Sequence, residues 1–177
     1  QAHPFLDGNG RLGRLLITLM LINDGVLHSC LFYPSFQFKK NRSEYYRQLT
    51  SVRERGTYEE WIEFFCNSLL ESAKDSVGSL KNLVDLHNRS TATITENLGR
   101  TAANGQRLLG ILEEHPIVDT AFIAAQLDIG RSTASSLVKS FEELGILRPL
   151  DESRQRYRQY GYEEYLSILR EDAEPIR

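Results

Sequence analysis

The chain has 177 residues, 41% of them hydrophobic and 25% charged, with a formal net charge of -3. That length suffices for one medium domain or two small ones, each with its own core, and the charge excludes a polycation that coats nucleic acid by net charge alone. The most apolar stretch, residues 15–22, falls short of the ~20 residues of a membrane span and has no signal-peptide architecture. The two cysteines, Cys30 and Cys66, sit in apolar surroundings without metal-ligand spacing, which predicts two buried free thiols in a reducing cytoplasm. The chain opens on Gln1-Ala2-His3 without an initiator Met and with chemistry-bearing residues at its start, so it reads as part of a longer protein.

Residues 10–23 carry apolar residues at helical spacing (Leu12, Leu15, Leu16, Leu19, Ile22), with Gly25 as a stop. Residues 28–38 read as a connection containing Pro34 and several aromatics, and residues 39–55 as a second helix closed by Gly56. Thr57 followed by Glu59 and Glu60 predicts a capped helix start, and that helix is expected to bury Trp61, Ile62, Phe64, Phe65 and Leu69. Its periodicity runs on through Leu80, Leu83, Val84 and Leu86 toward Leu98.

Small and polar residues gather over residues 99–105 and predict a break. Beyond it, residues 106–114, 120–127 and 132–144 read as three helices, the last begun by a capping hydroxyl and stopped by Gly145. Ile146 and Leu147 then open a short strand, residues 151–155 form a polar turn, residues 156–160 return as a strand, and residues 162–170 close the chain as a helix. Three helices and a hairpin describe a winged helix, with Phe122, Ile123, Leu127, Leu137, Val138 and Phe141 in its core and Arg131, Ser135 and Lys139 on an outer face.

The informative stretch is His3-Pro4-Phe5-Leu6-Asp7-Gly8-Asn9-Gly10-Arg11-Leu12-Gly13-Arg14. It is a loop with two glycines running straight into a helix, where free N–H groups and the helix dipole offer a site for phosphate oxygens. Gly8 and Gly10 allow close approach of backbone to an anion, and Arg11 and Arg14 leave the first turn three residues apart, toward one ligand. Asp7 beside a polyphosphate is a natural ligand for Mg²⁺. His3 precedes this cradle and is the residue type that can serve as general base for a hydroxyl. Phe5, with no polar role, is expected to anchor the loop in the core.

This string matches in full the Fic signature, His-x-Phe-x-Asp/Glu-Gly-Asn-Gly-Arg-x-x-Arg, and the chain is identified by it as similar to Fic-family protein adenylyltransferases. The resemblance covers roughly residues 1–99 and implies a mainly α protein. Its expected parts are the C-terminal half of an all-α Fic core (residues 1–100) and a small α+β winged-helix domain (residues 101–177).

The resemblance further implies that His3 takes the proton from a Ser, Thr or Tyr hydroxyl of a target protein, which attacks the α-phosphate of ATP while pyrophosphate leaves. Asp7 would hold Mg²⁺, Gly8, Asn9 and Gly10 would cradle the phosphates, and Arg11 and Arg14 would clamp the β and γ groups, with Leu12 and Gly13 completing the nucleotide-binding segment. Asn41-Arg42-Ser43-Glu44-Tyr45-Tyr46 resembles the family segment whose tyrosines wall the nucleoside pocket; the other reading of Tyr45 and Tyr46 is as core aromatics on a helix face. The inhibitory segment Ser/Thr-x-x-x-Glu-Gly/Asn is not matched, because Ala92 stands where residues 91–97 would need a hydroxyl. If the protein is self-inhibited, the resemblance implies that the glutamate lies upstream, with Arg14 as its usual partner.

The third helix of the winged module offers Arg131, Ser132, Thr133, Ser135, Ser136 and Lys139, and the turn region adds Arg154, Arg156 and Arg158. From Thr101 on, however, 9 Lys and Arg face 13 Asp and Glu, whereas the first hundred residues carry 12 against 11. DNA affinity is built on neutralised phosphates, so an acidic module favours a protein contact over DNA. His28, His87 and His115 have no ligand spacing and read as structural or solvated. Two functions follow: a cytoplasmic enzyme that adenylylates a protein, with a homodimer allowed and no membrane contact, or a winged-helix transcriptional regulator with a Fic-type nucleotide sensor. The intact His3 favours the enzyme.

Overall fold

The computed structural model describes residues 5–27, 34–151 and 158–171. Among them the protein is mainly α-helical, with one small three-stranded sheet. No helix of the described residues is long and apolar enough to cross a membrane. The chain divides into two compact units, one holding the described residues through Ser79 and the other Leu80–Glu171.

In the first unit, helix α1 (Asn9–Asn23) follows Gly8, whose φ of +81° is left-handed and favours glycine. The Leu12 N–H closes the first turn on the Gly8 carbonyl at 3.0 Å. The helix ends as expected, with Gly25 at φ +70°. The connection expected over residues 28–38 is instead helical from Pro34, as α2 (Pro34–Lys40); a proline in the first helical position loses no hydrogen bond there. Asn41 (φ -103°, ψ 37°) then interrupts the chain, so the helix expected over residues 39–55 divides into the end of α2 and α3 (Arg42–Arg55), which Gly56 closes at φ +71°. Helix α4 (Tyr58–Asn97) follows. The Thr57 hydroxyl at its start pairs with the Ser51 hydroxyl at 2.6 Å.

The aromatic side of α4 packs on Phe38, which is 3% exposed, with ring centroids 5.3 Å from Tyr45 and 5.7 Å from Phe65. Trp61, Phe64, Phe65 and Leu69 are half-buried rather than core, and Ile62 is exposed. Cys66 is likewise an exposed free thiol, not a buried one; Cys30 lies outside the described residues. Ile62, Cys66 and Leu70 follow one another at i, i+4 and form a single outward row. An apolar period of 3.6 does not say which of two adjacent rows faces inward. Helix α1 contributes no buried residue, and Phe5, expected in the core, is 58% exposed.

The second unit holds the end of α4, a 3-10 turn (Gly99–Thr101), α5 (Ala102–Glu114), β1 (Ile117–Asp119), α6 (Thr120–Leu127), α7 (Arg131–Glu143), β2 (Arg148–Pro149), β3 (Gln159–Gly161) and α8 (Glu163–Glu171). The break expected over residues 99–105 is only the 3-10 turn. Gly105 is buried inside α5, where a Cβ would stand 2.7 Å from Ile94 Cγ2 and 2.8 Å from Leu98 Cδ1. The glycine there marks close helix packing rather than a loop.

Asp119 caps α6 by accepting the Phe122 N–H at 2.7 Å. Helix α7 has Gly130 at its N-cap with no side-chain cap, so the expected capping hydroxyl is absent and the helix begins one residue earlier. Strand β3 lies between β1 and β2, antiparallel to both, with Ile117 and Arg148 each opposite Gly161. Strand β1 was not legible as a three-residue element. Ile146 and Leu147, read as strand residues, are buried core residues whose N–H groups both donate to the Phe141 carbonyl (2.9 and 3.1 Å); the strand starts at Arg148. Ile123, Leu127, Leu137, Val138 and Phe141 are buried as expected, and Phe122 is partly buried against them. Most of the polar turn, residues 152–155, lies outside the described residues.

Candidate functional site

The motif loop is organised by its own side chains. The Phe5 N–H donates to Asn9 Oδ1 at 3.1 Å while Asn9 Nδ2 donates to the Phe5 carbonyl at 2.6 Å. This two-way clasp fixes the loop that leads into α1. The Gly8 N–H donates to Asp7 Oδ1 at 2.6 Å. Asp7 Oδ2 lies 4.0 Å from Arg11 Nη2, a long and solvent-screened ion pair, with the Asp7 side chain 97% exposed. No side chain caps α1 and no acidic residue stands in its first turn; the negative charge beside that helix start is the Asp7 carboxylate on the Gly8 N–H.

Arg11 and Arg14, one turn into α1, line a cleft of about 660 Å³ together with Leu15, Thr18 and Leu19 of the same helix. The other side of the cleft comes from α2 (Pro34, Ser35, Phe38, Lys39) and α3 (Arg42, Tyr45, Tyr46). The two tyrosines meet edge-on with centroids 5.4 Å apart, and Tyr45 rests on Trp61 at 5.6 Å. The Arg42 guanidinium stands 5.7 Å above the Tyr46 ring, a cation–π placement. Tyr45 therefore serves two environments, half-buried in the aromatic cluster with an edge on the cleft, whereas Tyr46 is mainly exposed.

Of the residues singled out in the sequence, the structure brings Arg11, Arg14, Tyr45 and Tyr46 to one cleft. Asp7 and Gly8 lead into α1 and Asn9 and Gly10 open it; none of the four lines the cleft. Leu12 is exposed, and Gly13 has open space where a Cβ would stand. Gly10 sits under Arg14, whose Nη1 would lie 3.5 Å from an added Cβ. His3 lies outside the described residues. Lys39 and Arg42 were not assigned from the sequence; the signal for Arg42 was its i, i+4 spacing to Tyr46 on one helix face.

Elsewhere the titratable groups are engaged structurally. His87 Nδ1 and Glu113 Oε1 are 2.7 Å apart, and the His115 ring packs edge-on against Phe122 at 5.2 Å; His28 lies outside the described residues. No group of three or more His, Cys, Asp or Glu that could hold a metal occurs among the described residues. On α7, Arg131, Ser132, Thr133, Ser135, Ser136 and Lys139 are exposed together, with Lys139 3.8 Å from Glu143. Arg158 is half-buried; Arg154 and Arg156 lie outside the described residues.

The model of the Fic/DOC family matches residues 1–21, the span that contains the whole motif. The chain is also 31% identical over 83 residues to the protein adenylyltransferase fic-1 of Caenorhabditis elegans, a match covering 47% of this chain and 15% of that relative's length. By the segment that carries its motif, the chain is similar to the Fic/DOC family, and it spans about 15% of the length of the curated relative it matches.

Proposed function

We propose that the chain carries the catalytic segment of a Fic-type transferase that moves AMP from ATP to a Ser, Thr or Tyr hydroxyl of a target protein. The observation that supports it best is the cleft in which Arg11 and Arg14 of the motif stand with Tyr45 and Tyr46: cations for a polyphosphate and aromatic surface for a nucleoside in one volume. In this reading the base lies against the tyrosines, the motif arginines draw the phosphates toward the start of α1, and the dipole of that helix adds to their charge. His3 accepts the proton of the target hydroxyl as its oxygen bonds to the α-phosphorus. The bond from the α-phosphorus to the bridging oxygen breaks, and pyrophosphate departs. The Asp7 carboxylate suits Mg²⁺, since one oxygen is committed to the Gly8 N–H while the other has only the distant Arg11 beside it. Among the described residues no group of three or more acidic, histidine or cysteine side chains gathers there, so phosphates and water would complete the shell, as Mg²⁺ prefers; when bound, the ion would neutralise phosphate charge.

The second unit is read as a winged helix that contacts protein rather than DNA. Its α7 face presents two cations, one of them beside Glu143, in a segment with an excess of acidic residues.

The test of the enzyme is transfer of label from α-labelled ATP. His3→Ala is expected to abolish labelling and leave ATP affinity within about twofold, because His3 acts on the attacking hydroxyl and not on the nucleotide. Arg14→Ala is expected to weaken ATP binding about tenfold or more. Should His3→Ala lose ATP as Arg14→Ala does, the division of roles fails.

A further inference from the structure

We propose that Lys39 and Arg42 form a second cationic wall of the cleft and bind the phosphate chain of its ligand together with Arg11 and Arg14. The inference rests on the nucleotide reading of the same cleft and adds two phosphate-binding residues that the motif does not contain.

Four cationic side chains line this one volume, two from α1 and one each from α2 and α3. Among the described residues, Arg14, Lys39 and Arg42 have no carboxylate partner; the only ion pair in the group is the long one from Arg11 to Asp7. The rest of the lining is largely apolar or aromatic, with Leu15, Leu19, Pro34 and Phe38 alongside the tyrosines. Like charges gathered beside apolar surface repel one another, and an anion placed among them relieves that repulsion while gaining charge-assisted hydrogen bonds. A ligand held by α1 alone would leave the α2–α3 cations facing it unpaired.

The two residues are suited to different places along the ligand. Arg42 is held beside the aromatic shelf by its placement over Tyr46, so a nucleoside stacked there presents its first phosphate to the Arg42 guanidinium. Lys39 is an exposed ammonium on a flexible stem and follows phosphates farther along the chain without a fixed geometry. Adenosine should therefore ignore Lys39, and the contribution of Lys39 should grow with the number of phosphates.

The experiment is titration calorimetry on the full chain with adenosine, AMP, ATP and inorganic tripolyphosphate. Lys39→Gln is expected to weaken ATP and tripolyphosphate about tenfold and to leave adenosine within about twofold, the latter also reporting that the cleft is intact. Arg42→Gln is expected to weaken AMP and ATP, with Arg42→Lys recovering part of the loss because it restores charge without the planar fork. The salt dependence of ATP binding should become shallower in both neutral variants. The proposal is overturned if ATP and tripolyphosphate bind both neutral variants as they bind the wild type, or if Lys39→Gln weakens adenosine as much as ATP. Wild-type binding of tripolyphosphate without ATP, still lost in Lys39→Gln, would keep the cationic wall and sink the nucleotide reading. Binding of neither would sink both.

Discussion

Gly105 and Gly110 lie on one helix, α5, and the same substitution should have opposite signs at the two positions. Gly→Ala inside a helix gains about 1 kcal/mol of propensity where nothing obstructs the new methyl. At Gly110, which is exposed, no atom lies within 4 Å of the added Cβ, so that gain is unopposed. At Gly105 the Cβ would stand 2.7 Å from Ile94 Cγ2 and 2.8 Å from Leu98 Cδ1, about 1 Å inside ordinary carbon contact. The Leu98 methyl is the tip of a flexible side chain and can turn away. Ile94 is fully buried and β-branched, so its Cγ2 moves only with a change of χ1 or of the helix itself. Overpacking of this kind costs about 1–3 kcal/mol, which outweighs the propensity gain and leaves Gly105→Ala destabilised by up to about 2 kcal/mol. Urea and thermal denaturation followed by circular dichroism would read this as midpoints moving in opposite directions. A shift of 1 kcal/mol corresponds to about 4–8 °C in a unit of this size. If Gly105→Ala raised the midpoint as Gly110→Ala does, the close approach of α4 and α5 would be wrong, and the second unit would have to be repacked.

Three further outcomes are expected. Burial pushes the Tyr162 hydroxyl up to about 12 from 10, partly offset by its 2.7 Å hydrogen bond with Ser90. With the folded value raised, its contribution to stability is full below pH 10 and declines toward pH 12 by about 1.4 kcal/mol per pH unit; Tyr162→Phe should remove that part of the alkaline decline and cost about 1–3 kcal/mol at neutral pH by stranding the Ser90 hydroxyl, and an unchanged decline in the variant would contradict it. Asn9→Ala should release the Phe5 clasp and weaken ATP binding about tenfold with little change in overall stability, measured by calorimetry beside a melting curve; unaltered affinity would show that the clasp does not organise the site. Random duplex should bind the full chain weakly near physiological salt, and any residual binding should lose strength and salt slope in Arg131→Ala with Lys139→Ala; tight, salt-sensitive binding in an anisotropy titration would instead favour a regulator.

The sequence by itself determined what is local. The string from His3 to Arg14 carries its resemblance to the Fic/DOC family in consecutive residues, and no distant contact is needed to read it. Helix stops at Gly25, Gly56 and Gly145 were equally legible, because a left-handed φ is a property of one residue. Helix α6 was legible to the residue, and the buried faces of α6 and α7 nearly so, since each is a short apolar period between clear punctuation. What only the tertiary structure decided is what depends on two segments meeting. Gly105 looks like a loop residue until Ile94 and Leu98 are placed against it. Strand β1 is three residues long and acquires its identity only by pairing with β3, while Ile146 and Leu147 were drawn from strand into core by the Phe141 carbonyl. The outward row of Ile62, Cys66 and Leu70 has the same helical period as the inward one, and packing around Phe38 chose between them. The same distinction separates the motif from the cleft. Arg11 and Arg14 were readable from their spacing, but Lys39 and Arg42 became part of one site with them only because α2 and α3 fold beside α1; a charge has no ligand until the chain brings another charge to it.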